Sequence, residues 1–270
     1  MAFSLGPRAI SAGYRLAEFD QVGSTNTEAM SRAREGSSEP KWFVTTLQTA
    51  GRGRRHRPWV APRGNLCSSV LEVLDVTPPV AATLGFAAAL TMEQALQKVS
   101  VEASLRAAGS DQMKISLKWP NDVLCGGKKL CGILLEAEAM ADNRLAVVVG
   151  IGTNVIAAPE GTPTPATSLA ALGIQISAEE LFVAQSDAWA ELRGIWDNGR
   201  GFGEIRRLWL ERAAGIGERV AIHTGGAPLE GIFETLDDAG CMIVRTDAGR
   251  RMPIAAGDVY FGSAASVRTI

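Results

Sequence analysis

The residue pattern changes near Gly215, and this change constrains the fold more than any other feature of the chain. Beyond it, short runs of alternating apolar and polar residues are separated by turns that contain glycine, at residues 225–226, 238–240 and 248–249. The runs cover residues 219–223, 229–236, 241–245, 251–254 and 259–261. Short strands separated in this way are typical of a compact β-barrel or sandwich. We therefore predict two domains, residues 1–214 and residues 215–270.

The first domain alternates between helical and strand patterns. Helices are predicted at residues 25–35, 79–99, 178–197 and 202–213, and residues 25–28 have the spacing of a capping box. Strands are predicted at residues 41–47, 65–73, 115–119, 122–124, 129–137 and 145–151. The last of these is nearly all apolar, as expected of a central strand, and Gly126 with Gly127 predicts a hairpin turn.

Composition excludes several classes of protein. The 270 residues carry a formal net charge of -2, whereas a generic polyanion binder is usually basic. The longest apolar stretch, residues 80–90, is too short to span a bilayer, and the N-terminus lacks a signal-peptide pattern; both predict a cytoplasmic protein without membrane contact. The four cysteines include no CxxC pair, and His56 and His223 are the two histidines, so neither a zinc site nor a disulfide framework is predicted.

Residues 51–59, which read GRGRRHRPW, form the most unusual segment. Its clustered arginines cannot all be buried without partners. The glycines let the backbone approach a ligand and turn its N–H groups toward anionic oxygens. The alternative is an ordinary solvated basic loop, or an arginine-rich contact with RNA. Residues 49–64 contain few apolar side chains, so we expect this loop to be mobile until a ligand orders it.

Residues 118–122, which read KWPND, precede a second basic segment at residues 128–136. In the predicted hairpin Lys129 lies on the return strand, where it can reach a carboxylate or a phosphate from a fixed position. Asp122 can hold Mg²⁺ or orient an incoming amine. The alternative is a solvated hairpin with ordinary surface lysines, which we favour for Lys128.

Two smaller segments complete the pattern. Ser24, Thr25 and Asn26 offer hydroxyl and amide groups at a helix start, where plain capping is the simpler role. Residues 150–154, which read GIGTN, end the central strand with small residues that can form the flat wall of a pocket. They are not a dinucleotide-binding fingerprint, because the third glycine at the required spacing and a following helix are missing.

The ordered set of residues 23–26, 48–55, 118–122, 129–134 and 150–154 resembles the biotin protein ligase family. Residues 165–169 and 256–259 also look like family features. The resemblance implies the α+β class, with a mixed β-sheet flanked by helices as in class II synthetases and biotin ligases, followed by a small C-terminal SH3-like β-barrel. It corresponds to the form without an N-terminal DNA-binding domain, so no DNA binding is expected.

The resemblance implies an ATP-dependent ligase. Biotin is activated as biotinyl-5′-adenylate and is then transferred to a lysine, with Mg²⁺ accompanying ATP and without a permanently bound metal. The implied acceptor is the biotin carboxyl carrier domain of a biotin-dependent carboxylase, and the implied assembly is a monomer or a homodimer.

The resemblance also implies residue roles. The catalytic residues are Lys129, Arg54 and Asp122; Lys129 bridges the biotin carboxylate and the α-phosphate, and Asp122 assists the acceptor lysine or the metal. The biotin-binding residues are Ser24, Thr25, Asn26, Gln48, Arg52, Gly53, Arg54, Lys129, Gly132, Leu134 and Gly152, the first four at the ureido end. The ATP-binding residues are Arg52, Arg54, Trp119, Asn121, Lys129 and Asn154.

One position departs from the family pattern, because His56 stands where members commonly carry glycine. A side chain there can stiffen the arginine segment or alter its closure. Two alternatives stay open. Lipoate or octanoate ligases use a related fold and the same adenylation chemistry, but a fatty tail needs no ureido-binding groups. A nucleic-acid-binding protein is disfavoured by the acidic balance and by the lack of an evident aromatic stacking motif.

Overall fold

A computed structural model describes residues 2–107, 113–162, 164–223 and 228–261 of the chain. The first seven strands are β1 (Arg15–Phe19), β2 (Lys41–Thr45), β3 (Leu66–Leu74), β4 (Ile115–Lys118), β5 (Asp122–Cys125), β6 (Lys128–Ala139) and β7 (Leu145–Thr153). They form one sheet in the order β1-β2-β3-β7-β6-β5-β4. β1 and β2 pair in parallel and the other neighbours pair antiparallel, so the sheet is mixed.

Helices cover both faces of this sheet. They are α1 (Pro7–Ser11), α2 (Thr25–Arg34), α3 (Pro78–Ala82), α4 (Leu84–Ala107), α5 (Ala178–Trp196) and α6 (Phe202–Leu210). Ala29 and Met30 of α2 pack on Phe43, Leu71 and Val148 on one face. The long helices α4 and α5 pack on each other and on the opposite face, where the larger core lies. β7, predicted as the central strand, is the middle strand of the seven and is almost fully buried.

The remaining strands form a second, antiparallel sheet. They are β8 (Arg219–His223), β9 (Leu229–Leu236), β10 (Met242–Arg245), β11 (Arg251–Ile254) and β12 (Asp258–Phe261), in the order β11-β10-β9-β8-β12. The predicted fold class is confirmed: a mixed sheet flanked by helices is followed by a small β unit. The predicted turn at residues 225–226 lies outside the described residues, and the domain boundary near Gly215 stays a prediction.

The two sheets are joined by hydrogen bonds as well as by the chain. The Leu117 N–H donates to Arg212 O at 2.8 Å, and the Ala214 N–H donates to Leu117 O at 2.8 Å. The indole N–H of Trp119, which follows β4, donates at 3.1 Å to Gly240 O in the turn between β9 and β10 of the second sheet. The edge strand β4 is thereby fixed to the segment that leads into the second sheet.

Most predicted elements are present, with differences that have a local cause. Gly126 and Gly127 have φ values of 55° and 79°, as the predicted hairpin turn requires. The helix predicted at residues 79–99 is two helices, which meet at Thr83, and α4 continues to Ala107. The predicted capping box at residues 25–28 is wrong, because Ser24 is the N-cap and its side chain makes no capping bond.

The short elements α1 and β1 were not predicted. α1 has five residues and begins with Pro7, and β1 has a half-exposed pattern without clear alternation. Within the described part of the chain, no helix combines the length and the apolar character needed to cross a bilayer.

Candidate active site

A cavity of about 440 Å³ lies on the face of the first sheet that carries α2, beyond the start of that helix. Its floor contains a row of cross-strand partners on five adjacent strands, β3, β7, β6, β5 and β4: Cys67, Gly152, Gly132, Asp122 and Lys118. Directly opposed residues share a face of the sheet, and neighbouring strands lie about 4.8 Å apart, so the row is about 19 Å long. The row begins with the apolar side chain of Cys67, continues with two glycines and ends with the charged side chains of Asp122 and Lys118.

The structure brings every predicted site residue to this cavity. Those lining it are Ser24, Thr25, Asn26, Gln48, Arg52, Gly53, Arg54, Trp119, Asn121, Asp122, Lys129, Gly132, Leu134, Gly152 and Asn154. Their predicted contacts with ligands stay predictions. Four further residues, Trp59, Lys118, Glu136 and Asp258, are also tied to the site by the contacts given below.

Polar groups gather at the end of the cavity next to α2. The backbone N–H and the hydroxyl of Thr25 donate to Gln48 Oε1 at 2.7 and 3.0 Å. The Ser69 hydroxyl donates to Asn26 Oδ1 at 2.6 Å and lies 2.7 Å from Thr25 Oγ1. Gly150 makes room for this network, because a Cβ there would lie 2.1 Å from Asn26 Oδ1. Gln48 therefore holds the start of α2 in place of a capping side chain.

Glu136 links this polar end to the arginine segment. Asn26 Nδ2 donates to Glu136 Oε2 at 2.7 Å, and Arg52 Nη2 donates to the two carboxylate oxygens at 3.2 and 3.1 Å. Arg52 Nη1 also donates to the Thr27 hydroxyl at 2.7 Å. The alternation of residues 132, 134 and 136 along β6 is the sequence signal that places Glu136 on the cavity face.

Trp59 lies over the middle of the row. A Cβ at Gly152 would lie 2.4 Å from the Trp59 ring, and a Cβ at Gly132 would lie 3.0 Å from it. Gly132 and Gly152 are cross-strand partners, so together they form a flat floor on which the indole rests. The resemblance implies that Gly132, Leu134 and Gly152 line an apolar slot for the biotin rings and tail, and here this slot is filled by the Trp59 side chain.

Cationic groups gather beyond Trp59. Lys129 Nζ lies 2.6 Å from Asp122 Oδ1 and 5.7 Å from the centroid of the Trp59 ring. Arg54 Nη1 donates to Asn121 Oδ1 and to Gly257 O, both at 3.2 Å. Burial lowers the pKa of the Arg54 guanidinium. These groups suit an anionic ligand.

Two predicted ATP-binding residues have partners within the protein. Trp119 is buried, and its indole N–H bonds to Gly240 O. Asn154 is also buried, and its amide Nδ2 donates to Thr167 O at 3.0 Å. Among the described residues, no hydrogen-bond partner is found for Asn154 Oδ1. That oxygen is the part of Asn154 that a ligand can use.

The arginine segment is held against the second sheet. Asp258, the first residue of β12, forms ion pairs with Arg55 at 2.9 Å and with Arg57 at 2.7 Å. Within the segment, the Gly53 N–H donates to Arg57 O at 2.7 Å. His56 has a φ of 58°, in the left-handed region that favours glycine. This conformation explains why glycine suits the position.

The cavity offers neither a reactive thiol nor a cluster of metal ligands. Burial raises the pKa of the Cys67 thiol to about 12, so it stays protonated near neutral pH. Within residues 2–107, 113–162, 164–223 and 228–261, no three His, Cys, Asp or Glu side chains are grouped as metal ligands. The arrangement can bind and polarise an anionic substrate.

Comparison with known proteins agrees with this arrangement. The family model described as the Biotin/lipoate A/B protein ligase family matches residues 18–154, and the Biotin protein ligase C terminal domain matches residues 215–262. A biotin–[acetyl-CoA-carboxylase] ligase of Paracoccus denitrificans is 38% identical over 248 residues, which is 90% of this chain and 98% of that protein. One of Mycobacterium tuberculosis is 34% identical over 264 residues, 95% of this chain and 93% of that protein.

A solved structure has the same fold. It is the biotin protein ligase from Aquifex aeolicus in complex with biotin and ATP, with a TM-score of 0.69 and 25% identity. The alignment covers 93% of this chain and 99% of that one. With relatives above 30% identity that span nearly its whole length, the chain belongs to the biotin protein ligase family.

Proposed function

We propose that the protein activates biotin with ATP as biotinyl-5′-adenylate and transfers it to a lysine of a biotin carboxyl carrier domain. The observation that carries the proposal is the order of groups along the cavity. Hydroxyl and amide groups of Thr25 and Asn26 lie at one end, the Gly132–Gly152 floor follows, and Lys129 with Arg54 lies beyond. Biotin has the same order: a polar ureido group, an apolar ring and tail, and a carboxylate.

In the first step a biotin carboxylate oxygen attacks the α-phosphorus of ATP. The bond from that phosphorus to the bridging oxygen of the β-phosphate breaks, and pyrophosphate leaves with the electron pair. Lys129 supports this step because it holds a positive charge at a fixed place, set by the 2.6 Å contact with Asp122. Mg²⁺ bound with ATP would offset the phosphate charge; the phosphates would supply most of its oxygen ligands, and the Asp122 carboxylate would be a suitable further one.

In the second step the amine of an acceptor lysine attacks the carbonyl carbon of the mixed anhydride. The bond from this carbon to the phosphate oxygen breaks, AMP leaves, and the amine loses a proton. We propose that Asp122, whose carboxylate lines the cavity floor, assists the acceptor lysine by accepting that proton or orienting the amine. The relatives' name, biotin–[acetyl-CoA-carboxylase] ligase, points to a carboxylase carrier domain as the acceptor.

The two alternatives predict different chemistry. The family model also covers lipoate ligases, but the hydrogen-bonded groups of Thr25, Asn26 and Gln48 favour a substrate with a polar head. A nucleic-acid-binding role is disfavoured because the arginines of the loop have partners in the protein. Arg52 pairs with Glu136, Arg55 and Arg57 pair with Asp258, Arg63 pairs with Asp20, and Arg54 bonds to Asn121.

One assay tests the proposal. The protein is mixed with ATP, Mg²⁺ and either biotin or lipoate, and the release of pyrophosphate is measured. We expect release with biotin and little with lipoate. Release with lipoate alone would favour the rival ligase, and no release with either acid would contradict the proposed activity. A purified carrier domain then tests transfer, read as a gain in mass by one biotinyl group.

A further inference from the structure

Lys118 is a buried cation at the end of the cavity floor. Its side chain lines the cavity although the residue is only 8% exposed, and it is the cross-strand partner of Asp122. Nζ lies 3.3 Å from the Thr164 hydroxyl, and 5.7 and 5.5 Å from the ring centroids of Tyr260 and Phe261. A lysine ammonium is seldom placed in such surroundings without an anion to bind.

Asp122, the cross-strand partner of Lys118, does not neutralise the Lys118 ammonium fully. Asp122 has its short ion pair with Lys129, at 2.6 Å, and Asp258 holds Arg55 and Arg57. Burial lowers the pKa of Lys118, with Asp122 and Asp258 opposing the shift and Lys129 adding to it. This end of the cavity therefore carries more positive than negative charge, and the rings of Tyr260 and Phe261 lie beside the Lys118 ammonium.

The geometry of phosphoryl transfer indicates which anionic group the positive charge of Lys118 can stabilise. In a displacement at the α-phosphorus, the attacking oxygen and the leaving oxygen lie on opposite sides of phosphorus. The row of partners runs from Gly152 and Gly132, under the biotin slot, through Asp122 to Lys118. If the carboxylate lies at Lys129, the leaving group lies farther along the same direction.

We propose that Lys118 binds the pyrophosphate leaving group of biotin adenylation, an inference that rests on the proposed function. As the bond between the α-phosphorus and the bridging oxygen breaks, negative charge accumulates on the pyrophosphate, and the Lys118 ammonium stabilises it. Lys129 thus binds the carboxylate and the α-phosphate, and Lys118 binds the β- and γ-phosphates. Lys118 has no part in the second step, because pyrophosphate has left by then.

The test separates the two steps with Lys118→Met, which replaces the unbranched chain of lysine by one of similar shape without the ammonium and suits a buried site. We expect biotin-dependent exchange between ATP and pyrophosphate to fall by about 10²–10³-fold. Transfer from isolated biotinyl-adenylate to the carrier domain should stay within about two-fold of wild type. Lys128→Met is the matched control, because Lys128 is an exposed lysine at the start of β6 in the same sheet, and both steps should be unchanged in it.

Three outcomes would overturn the inference. They are an unchanged exchange rate in Lys118→Met, an equal loss in both steps, or an equal effect of Lys128→Met.

If Lys118→Met does not fold, the wild-type protein is methylated with formaldehyde and cyanoborohydride, and the extent of methylation at each lysine is measured by mass spectrometry. Pyrophosphate should then protect Lys118 while AMP does not, and absence of protection would overturn the inference. Wild-type protein without biotin-dependent exchange would instead contradict the proposed function.

Discussion

At the scale of single residues, Lys129 is held in the site by both its side chain and its backbone. Its Nζ lies 2.6 Å from Asp122 Oδ1, and its backbone N–H donates to Pro165 O at 2.7 Å. We expect Lys129→Ala to lower the rate of biotin-dependent pyrophosphate release by about 10²–10³-fold, because a fixed donor is lost where charge develops. The measurement is a single-turnover assay of adenylate formation.

The fold of that variant should be retained, since Lys129 is partly exposed and Asp122 can be solvated from the cavity. Circular dichroism and thermal unfolding check this. Lys128→Ala serves as the control and should react at the wild-type rate. A Lys129→Ala protein that keeps half of the wild-type activity would show that another cation performs the step.

Glu136 allows a second test, because a more exposed counterpart of its ion pair exists on the same face of the same strand. Glu136 pairs with Arg52 and accepts from Asn26, whereas Glu138 pairs with Arg34 at the surface. The side chains of Glu136 and Glu138 are each about a third or more exposed. Solvent therefore screens the ion pair between Arg52 and Glu136, and it contributes about 0.5–1 kcal/mol to stability. We expect Glu136→Gln to raise the KM for biotin about two- to five-fold with little change in kcat.

Steady-state kinetics with biotin as the varied substrate measure this effect, and Glu138→Gln should leave both constants unchanged. An equal effect of the two substitutions would mean that β6 responds to the loss of any surface charge. A fall in kcat without a change in KM would assign Glu136 to the chemical step instead of to the position of Asn26 and Arg52.

At the scale of elements, the end of the arginine segment fills the slot predicted for biotin. The Trp59 indole rests on Gly152 so closely that a ligand ring cannot share the space. Trp59 is partly exposed, whereas the other five tryptophans, Trp42, Trp119, Trp189, Trp196 and Trp209, are buried. We expect biotin to move the indole and to change the tryptophan fluorescence. Trp59→Phe should lose that change, and a full signal in this variant would place biotin elsewhere.

Elements with a strong local pattern could be predicted from the sequence, and those set by distant partners could not. The hairpin at Gly126 and Gly127 needs positive φ at both positions, and only a local turn is involved. The start of α2 was misread as a capping box because its partner, Gln48, comes from beyond β2. The same reason hid Lys118 and Asp258. Each lies in a segment that the sequence singled out, but its role depends on a strand far along the chain.

At the scale of the whole molecule, the second sheet takes part in the cavity. Gly257 and Asp258 line it, and Arg54 Nη1 donates to Gly257 O. The rings of Tyr260 and Phe261 lie beside Lys118 of the first sheet. The cavity is therefore built from the long mixed sheet, the arginine segment and strand β12. The arginine segment contacts both sides of this cavity, through Arg54 to Asn121 and through Arg55 to Asp258.

The contact between the arginine segment and β12 can be tested by proteolysis. Asp258 holds both Arg55 and Arg57, and each pair is partly exposed and contributes no more than about 1 kcal/mol. We expect trypsin to cut Asp258→Asn between residues 52 and 57 up to about ten-fold faster than wild type, with the rate followed by mass spectrometry. Asp247→Asn is the control, because it removes the ion pair with Arg219 elsewhere in the same sheet.

Ligands should act in the opposite direction, since adenylate oxygens give the arginines and backbone N–H groups additional anionic partners. Biotin with ATP should suppress the cut in wild type far more than ATP alone, and the closed segment would then keep water from the mixed anhydride. Asp258→Asn should regain most of this protection, because bound adenylate replaces part of what Asp258 supplied. Equal cleavage of wild type and Asp258→Asn without ligand would mean that bonds within the segment, such as Gly53 N–H to Arg57 O, hold it closed without the second sheet.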